Sequence, residues 1–125
     1  MHTGEILVVD DEITIRTVLE KFLSRYFQVI TFDNGKEAMD WLESGSLPGL
    51  MIVDVQMPEM NGDEFLSQVR QSVKFSKVPV FMLSGHEEEK EKLRMLELGA
   101  NEFFVKPVHP SQLKEKIDCY LNISS

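Results

Sequence analysis

The stretch LMIVDVQMPEMNG (residues 50–62) joins a run of apolar residues to an acidic residue and then to a loop of turn-forming residues. The run from Leu50 to Val53 is typical of a strand buried on both faces, because a strand with one solvated face would alternate apolar and polar residues. Asp54 follows directly, and the Pro, Asn and Gly residues after it favour a turn. The stretch therefore predicts a buried strand whose carboxyl end presents an acidic side chain.

Three further apolar runs end in a reactive polar residue in the same way. Ile6–Val9 precedes Asp10 and Asp11, Val80–Leu83 precedes Ser84, and Phe103–Val105 precedes Lys106. Each of these polar residues, taken singly, would be an ordinary loop residue. Because the carboxyl ends of parallel strands meet at one edge of a sheet, however, their recurrence predicts a single site. That site would combine three acids, a hydroxyl and an ammonium.

Helical patterns separate the strands along the whole chain. Apolar residues recur at intervals of three and four, as they do on one face of a helix. The predicted inner faces are Ile15, Val18, Leu19, Phe22 and Leu23 in the first helix, Ala38, Trp41 and Leu42 in the second, Phe65, Leu66, Val69 and Val73 in the third, and Leu113, Ile117, Tyr120 and Leu121 in the last. Phe27–Phe32 is predicted as the second strand. A polar fourth helix is predicted from Glu87 to Leu98, ending at Gly99.

Five strands that alternate with five helices predict an α/β fold. Continuous apolar strands indicate a parallel sheet with helices on both faces, and crossover connections in such sheets are right-handed. We expect a doubly wound five-stranded sheet in the order 2-1-3-4-5, formed by one domain over residues 1–125. In this order the winding direction switches between the first and third strands, which carry the three acids.

Composition limits the classes of function. The 125 residues are 42% hydrophobic, enough for one domain with a core, and 13 basic against 21 acidic residues give a net charge of -8. This charge argues against direct nucleic-acid binding, which needs clustered Lys and Arg. The single Cys119 cannot form an internal disulfide, and no apolar run approaches the roughly 18 residues of a membrane span. Met1–Gly4 leads straight into the first strand, so we expect no signal peptide, no membrane association and a cytoplasmic location.

The predicted acids suit a divalent cation. Asp10, Asp11 and Asp54 would repel one another without one, and Mg²⁺ takes oxygen ligands while keeping waters that phosphoryl oxygens can replace. A carboxylate can attack phosphorus and form an acyl phosphate. Lys106 could then pair with the phosphoryl oxygens, and Ser84 could donate a hydrogen bond to one of them.

The chain resembles the receiver domains of two-component response regulators over essentially its whole length. The matching motifs are Asp10-Asp11, Asp54 with Met57-Pro58 and Gly62, Ser84-Gly85, and Lys106-Pro107. The resemblance implies a flavodoxin-like receiver fold in which Asp54 accepts a phosphoryl group from a histidine kinase or a histidine phosphotransfer protein. It also implies that Asp11, Asp54 and the backbone carbonyl of Gln56 bind Mg²⁺, with Asp10 acting through water. The Lys106–Pro107 bond is expected to be cis.

The resemblance further implies a switch that alters a surface for a downstream partner. Ser84 would turn towards the phosphoryl group, and Phe103 would move inward behind it. Phe103 stands where tyrosine is frequent in the family. The water that hydrolyses the acyl phosphate would approach past Gln56 and His86, and we expect His86 to shield the phosphorus modestly.

Other functions fit the residues less well. A phosphatase of the haloacid dehalogenase type needs a second acid two residues after the nucleophile, where this chain has Gln56. A P-loop is excluded because no Gly-x-x-x-x-Gly-Lys segment occurs. A degenerate receiver that serves only as a binding module is a third possibility, but every main site residue is present. The downstream output, and whether the chain acts alone or within a larger regulator or kinase, stay open.

Overall fold

Five parallel strands and five helices alternate in the computed structural model, which describes residues 5–86 and 88–121. The strands are β1 (Glu5–Val9), β2 (Gln28–Phe32), β3 (Leu50–Asp54), β4 (Val80–Ser84) and β5 (Glu102–Val105). The helices are α1 (Ile13–Leu23), α2 (Gly35–Glu43), α3 (Gly62–Gln71), α4 (Glu89–Leu98) and α5 (Pro110–Leu121). The strand order is β2-β1-β3-β4-β5, which confirms the predicted topology.

The helices cover both faces of the sheet. On one face, α2, α3 and α4 pack over alternate residues of the central strands, and on the other face α1 and α5 pack over the remaining residues. Every residue of β3 and β4 is buried, as their continuous apolar sequences predict. The edge strands β2 and β5 are only partly buried, because each has a neighbouring strand on one side alone. The buried central strands thus fix the positions of the residues at the carboxyl edge of the sheet.

Local chemistry sets several helix boundaries. The Asn34 side chain accepts a hydrogen bond from the Glu37 N–H at 2.8 Å and so caps α2. Gly99 ends α4 with a φ of 113°, a left-handed conformation that glycine adopts without a Cβ penalty. Pro110 occupies the first position of α5, where its missing N–H has no intrahelical partner to lose.

Three predictions about the helices and strands are wrong. Val18 is 48% exposed, since it lies at the margin of the narrow stripe centred on Leu19. Val73 is 99% exposed because α3 ends at Gln71, before it. Phe27 precedes β2, and its N–H donates to the carbonyl oxygen of Leu23 at the end of α1.

Two expectations lie outside the described residues. The first is that Met1–Gly4 leads straight into β1. The second is that the fourth helix starts at Glu87; the described helix begins at Glu89. Within the described ranges, none of the helices combines the length and the apolar character needed to cross a membrane.

Candidate functional site

Three carboxylates meet at the carboxyl edge of the sheet, as predicted. Val9 of β1 pairs with Val53 of β3, so the residues that follow this pair, Asp10 and Asp54, lie side by side. One ligand oxygen from each of Asp10, Asp11 and Asp54 lies within 4.8 Å of the others. Asp10 and Asp54 are buried and Asp11 is exposed, so the cluster opens to solvent on one side. This arrangement could hold a metal ion.

Backbone hydrogen bonds fix the two buried acids. The Asp10 N–H donates to the carbonyl oxygen of Phe32 at 3.1 Å, and the Asp10 Oδ1 accepts from the Glu12 N–H at 2.9 Å. Beyond Asp54, the Val55 N–H donates to the carbonyl oxygen of Leu83 at 2.8 Å. Both carboxylates therefore extend from backbone that neighbouring strands hold in place.

Lys106 supplies the counter-charge. Its backbone N–H donates to the Ser84 carbonyl oxygen at 2.8 Å, which ties the residue to the end of β4. Its Nζ lies 3.1 Å from Asp10 Oδ2, 3.2 Å from Asp54 Oδ1 and 2.7 Å from Glu12 Oε1. One ammonium thus contacts both buried carboxylates and the exposed Glu12, as expected of a residue that neutralises charge at this edge.

Burial sets the direction of the pKa shift for the two buried acids, whereas neighbouring charges set it for Lys106. Burial and the charge of Asp10 together raise the pKa of Asp54 to about 7, although Lys106 opposes the rise. Burial also raises the pKa of Asp10 above its ordinary value. For Lys106, burial alone would lower the pKa, but the hydrogen bond to Glu12 and the two buried acids outweigh burial and raise it. The charge of Lys106 therefore does not offset the whole cost of ionising the two buried carboxylates.

One buried oxygen of the cluster accepts no hydrogen bond from the described residues. Asp10 Oδ2 is buried and, among the described residues, has no hydrogen-bond partner, so its contact with Lys106 is an ion pair without hydrogen-bond geometry. A buried acceptor without a hydrogen bond is costly. Together with oxygen-only ligands and the raised pKa of Asp54, it fits a hard divalent cation or a water bound to one.

A cavity of about 680 Å³ lies over the acids. Its lining includes Asp54, Gln56, Gly85 and Lys106, so a small anion entering it would meet the carboxylate and the ammonium together. The loop after β3 contributes to the lining, and the Gly62 N–H donates to the Val55 carbonyl oxygen at 2.8 Å across this loop.

The two predicted switch residues lie on β4 and β5. Ser84 is buried, and its Oγ donates to Glu91 Oε1 on α4 at 2.5 Å. The same Oγ lies 3.0 Å from the His86 carbonyl oxygen and accepts from the His86 N–H at 3.1 Å. Phe103 is half-buried and packs against the core cluster beneath α2, α3 and α4.

Of the two remaining predicted site residues, only one lines the cavity. Gln56 is exposed and lines the cavity; His86 is also exposed but, within the described residues, does not belong to the lining. Their influence on hydrolysis stays a prediction. The Lys106–Pro107 peptide bond is cis, as expected.

Sequence reasoning missed several charged residues of the site. Glu12 binds Lys106, and the third consecutive acid after β1 was the signal that could have indicated it. Glu91 contacts Ser84, and Arg94 pairs with Asp63 beside the same cavity. No spacing distinguishes Glu91 from the other acids of α4.

Comparisons with known proteins agree with this geometry. The chain is 35% identical over 119 residues to "Chemotaxis protein CheY1" of Helicobacter pylori, with 94% of this chain and 96% of the relative covered. The receiver domain of a signal transduction histidine kinase from Syntrophus aciditrophicus superposes with a TM-score of 0.87 at 32% identity, covering 95% of this chain and 90% of that one. Chemotaxis response regulator CheY4 of Vibrio cholerae gives a TM-score of 0.87 at 29% identity, with 94% and 98% covered.

The family model described as "Response regulator receiver domain" matches residues 6–118. This range contains all four strand-end motifs and every predicted site residue. The chain therefore belongs to the response regulator receiver domains of two-component systems.

Proposed function

We propose that Asp54 accepts a phosphoryl group from the phosphohistidine of a histidine kinase or histidine phosphotransfer protein, and that phosphorylation alters a surface for a downstream partner. The observation that carries this proposal is the convergence of two further carboxylates and the Lys106 ammonium on the buried Asp54 carboxylate. An acceptor flanked by a cation site and an ammonium suits phosphoryl transfer, in which catalysis is mainly positioning and charge stabilisation.

The transfer step follows from the chemistry of the carboxylate. An Asp54 oxygen attacks the phosphorus, the P–N bond to the imidazole breaks, and the imidazole nitrogen retains the bonding pair and takes up a proton. Lys106, already 3.2 Å from Asp54 Oδ1, lies within reach of the oxygens of the resulting acyl phosphate. Ser84 would donate to another of these oxygens after leaving its present partner.

We propose that Asp11, Asp54 and the backbone carbonyl of Gln56 hold Mg²⁺, with Asp10 acting through water. When bound, the ion would neutralise the phosphoryl oxygens and favour the ionised form of Asp54. Asp10 Oδ2, which forms an ion pair with Lys106 but accepts no hydrogen bond, supports this assignment because a metal-bound water would give it a hydrogen-bond donor.

We further propose that residues 1–125 act as one cytoplasmic receiver domain, without direct nucleic-acid binding, as the net charge of -8 favours. Gln56 and His86 would tune hydrolysis of the acyl phosphate, and Ser84 and Phe103 would change position on phosphorylation.

Acetyl phosphate provides a direct test, because it donates a phosphoryl group without any partner protein. Incubation of the purified chain with acetyl phosphate and Mg²⁺ should add one phosphoryl group, detected by intact-mass measurement and lost at alkaline pH. A parallel incubation with a chelator should leave the mass unchanged. An unmodified protein in the presence of Mg²⁺, or equal modification with the chelator, would contradict the proposal.

Replacing Asp11 with alanine should remove measurable Mg²⁺ binding. The variant loses one of the three clustered carboxylates, and the exposed position of Asp11 makes structural damage small. Bound Mg²⁺ should raise the unfolding midpoint of the parent protein but not that of the variant. Asp40→Ala, which removes an exposed acid from α2, serves as the control and should behave like the parent. An undiminished Mg²⁺ effect in Asp11→Ala would exclude the proposed ligand set.

A further inference from the structure

A carboxylate on α4 holds the hydroxyl of the buried serine at the end of β4. Ser84 Oγ donates to Glu91 Oε1 at 2.5 Å, a shorter contact than the 3.0 Å to the His86 carbonyl oxygen. Glu91 is half-buried and also lines the cavity above Asp54. Hydrogen bonds to an ionised acceptor are shorter and stronger than those to a neutral carbonyl, so Glu91 is the main acceptor of this hydroxyl.

A serine hydroxyl has a single hydrogen to donate. If Ser84 donates to a phosphoryl oxygen on Asp54, that hydrogen is no longer available to Glu91. We propose that Glu91 is a positioning residue that retains the Ser84 hydroxyl on α4 in the unphosphorylated protein and releases it when Asp54 is phosphorylated. This inference rests on the proposed phosphorylation of Asp54.

Because Glu91 lies on α4, the transfer of the Ser84 hydrogen bond from Glu91 to the phosphoryl group would change the contacts of this helix. Within the described helix, Met95 is the one fully buried side chain, so few apolar contacts hold α4 on the sheet. The ion pair of Arg94 with Asp63, at 2.5 Å, links α4 to α3. Arg94 is three residues after Glu91, a spacing that brings the two side chains together on one helical face. A released Glu91 would therefore compete with Asp63 for Arg94.

Activation requires Ser84 to give up its hydrogen bond to Glu91, so the free energy of that bond opposes activation. A ligand that binds only the active state must overcome this free energy. Destabilising the resting state therefore raises the apparent affinity of such a ligand. For a partly exposed charged acceptor, the expected gain in apparent affinity is about three- to tenfold. Beryllofluoride stands in for the phosphoryl group on a carboxylate and allows this gain to be measured at equilibrium.

The experiment titrates beryllofluoride onto the Mg²⁺-loaded full chain and follows the bound species by fluorine NMR. Glu91→Ala removes the acceptor, whereas Glu91→Gln keeps a neutral acceptor of similar length. Glu89→Gln is the matched control, because this exposed residue lies in the same first turn of α4 and carries the same charge. The double variant Ser84→Ala/Glu91→Ala, compared with Ser84→Ala alone, separates the hydrogen bond from the general charge of the cavity.

We expect Glu91→Ala to bind beryllofluoride about three to ten times more tightly than the parent, with Glu91→Gln in between. Glu89→Gln should match the parent, and Glu91→Ala should have no further effect once Ser84 is alanine. Equal affinities of the parent and both Glu91 variants would overturn the inference. An equal gain in the Ser84→Ala background would also overturn it, since Glu91 would then act through charge alone. Failure of the parent to bind beryllofluoride would instead overturn the proposed function.

Discussion

Replacing Asp54 with asparagine is expected to abolish phosphorylation by acetyl phosphate and, in the absence of metal, to stabilise the protein at pH 8. An amide has no carboxylate oxygen to attack phosphorus, so the intact mass should not change. The stabilisation has a separate cause, because burial and the nearby charge of Asp10 disfavour the ionised form of Asp54 in the folded protein. A single substitution thus tests both the acceptor and its environment.

The sign of the pH dependence follows from the direction of the shift. The folded protein raises the pKa of Asp54 from 3.8 to about 7, so the folded state binds the proton more tightly than the unfolded chain. The associated stability is present below pH 3.8 and is lost as the pH rises through about 7. A pKa difference of one is worth roughly 1.4 kcal/mol, so ionisation of Asp54 lowers the free energy of unfolding by up to about 4 kcal/mol. Asparagine should recover about 2 to 4 kcal/mol of this at pH 8, since a buried amide keeps a desolvation cost of its own.

Urea unfolding of the chelator-treated proteins at pH 8 and pH 4 measures this difference. The advantage of Asp54→Asn should be largest at pH 8 and close to zero at pH 4, where the parent carboxyl is protonated. Asp40→Asn, an exposed acid on α2, is the matched control and should leave both phosphorylation and stability unchanged. A phosphorylated Asp54→Asn protein would exclude the assigned acceptor. An advantage independent of pH would exclude the electrostatic cause.

Replacing Gly62 with alanine should destabilise the protein by about 3 kcal/mol or more. A Cβ at this position would lie 2.3 Å from the Asp54 carbonyl oxygen and 2.9 Å from Val55 Cα. Both are backbone atoms, one at the buried end of β3 and one directly after it, so neither can move aside as a flexible side chain could. The loop that carries Gln56 must shift instead, and Mg²⁺ binding should weaken along with stability.

Gly85→Ala provides a matched control for this substitution. Gly85 also borders the cavity, but a Cβ built there meets nothing within 4 Å. Its unfolding free energy should change by about 1 kcal/mol at most. If the two variants unfold at the same denaturant concentration, close approach of the loop to β3 is not what requires glycine at position 62.

The sequence alone determined the topology and the meeting of Asp10, Asp11, Asp54 and Lys106 at one edge of the sheet. Apolar runs and helical spacing are short-range properties, and right-handed crossovers leave few ways to arrange five strands and five helices. Asp54 and Lys106 directly follow such runs, so a correct strand assignment places them at one edge of the sheet. Their positions follow from local pattern and chain connectivity, without knowledge of how the helices pack.

Only the tertiary structure decided which charged groups meet there and how strongly they interact. Glu12 and Lys106 are 94 positions apart, and Glu91 reaches Ser84 because the packing of α4 against the sheet brings the two side chains together. The raised pKa of Asp54 likewise depends on burial, which is a sum over many neighbours and not a property of its own segment. Val18 was misassigned for the same reason, since periodicity gives the direction of a helix face but packing sets how wide the buried stripe is.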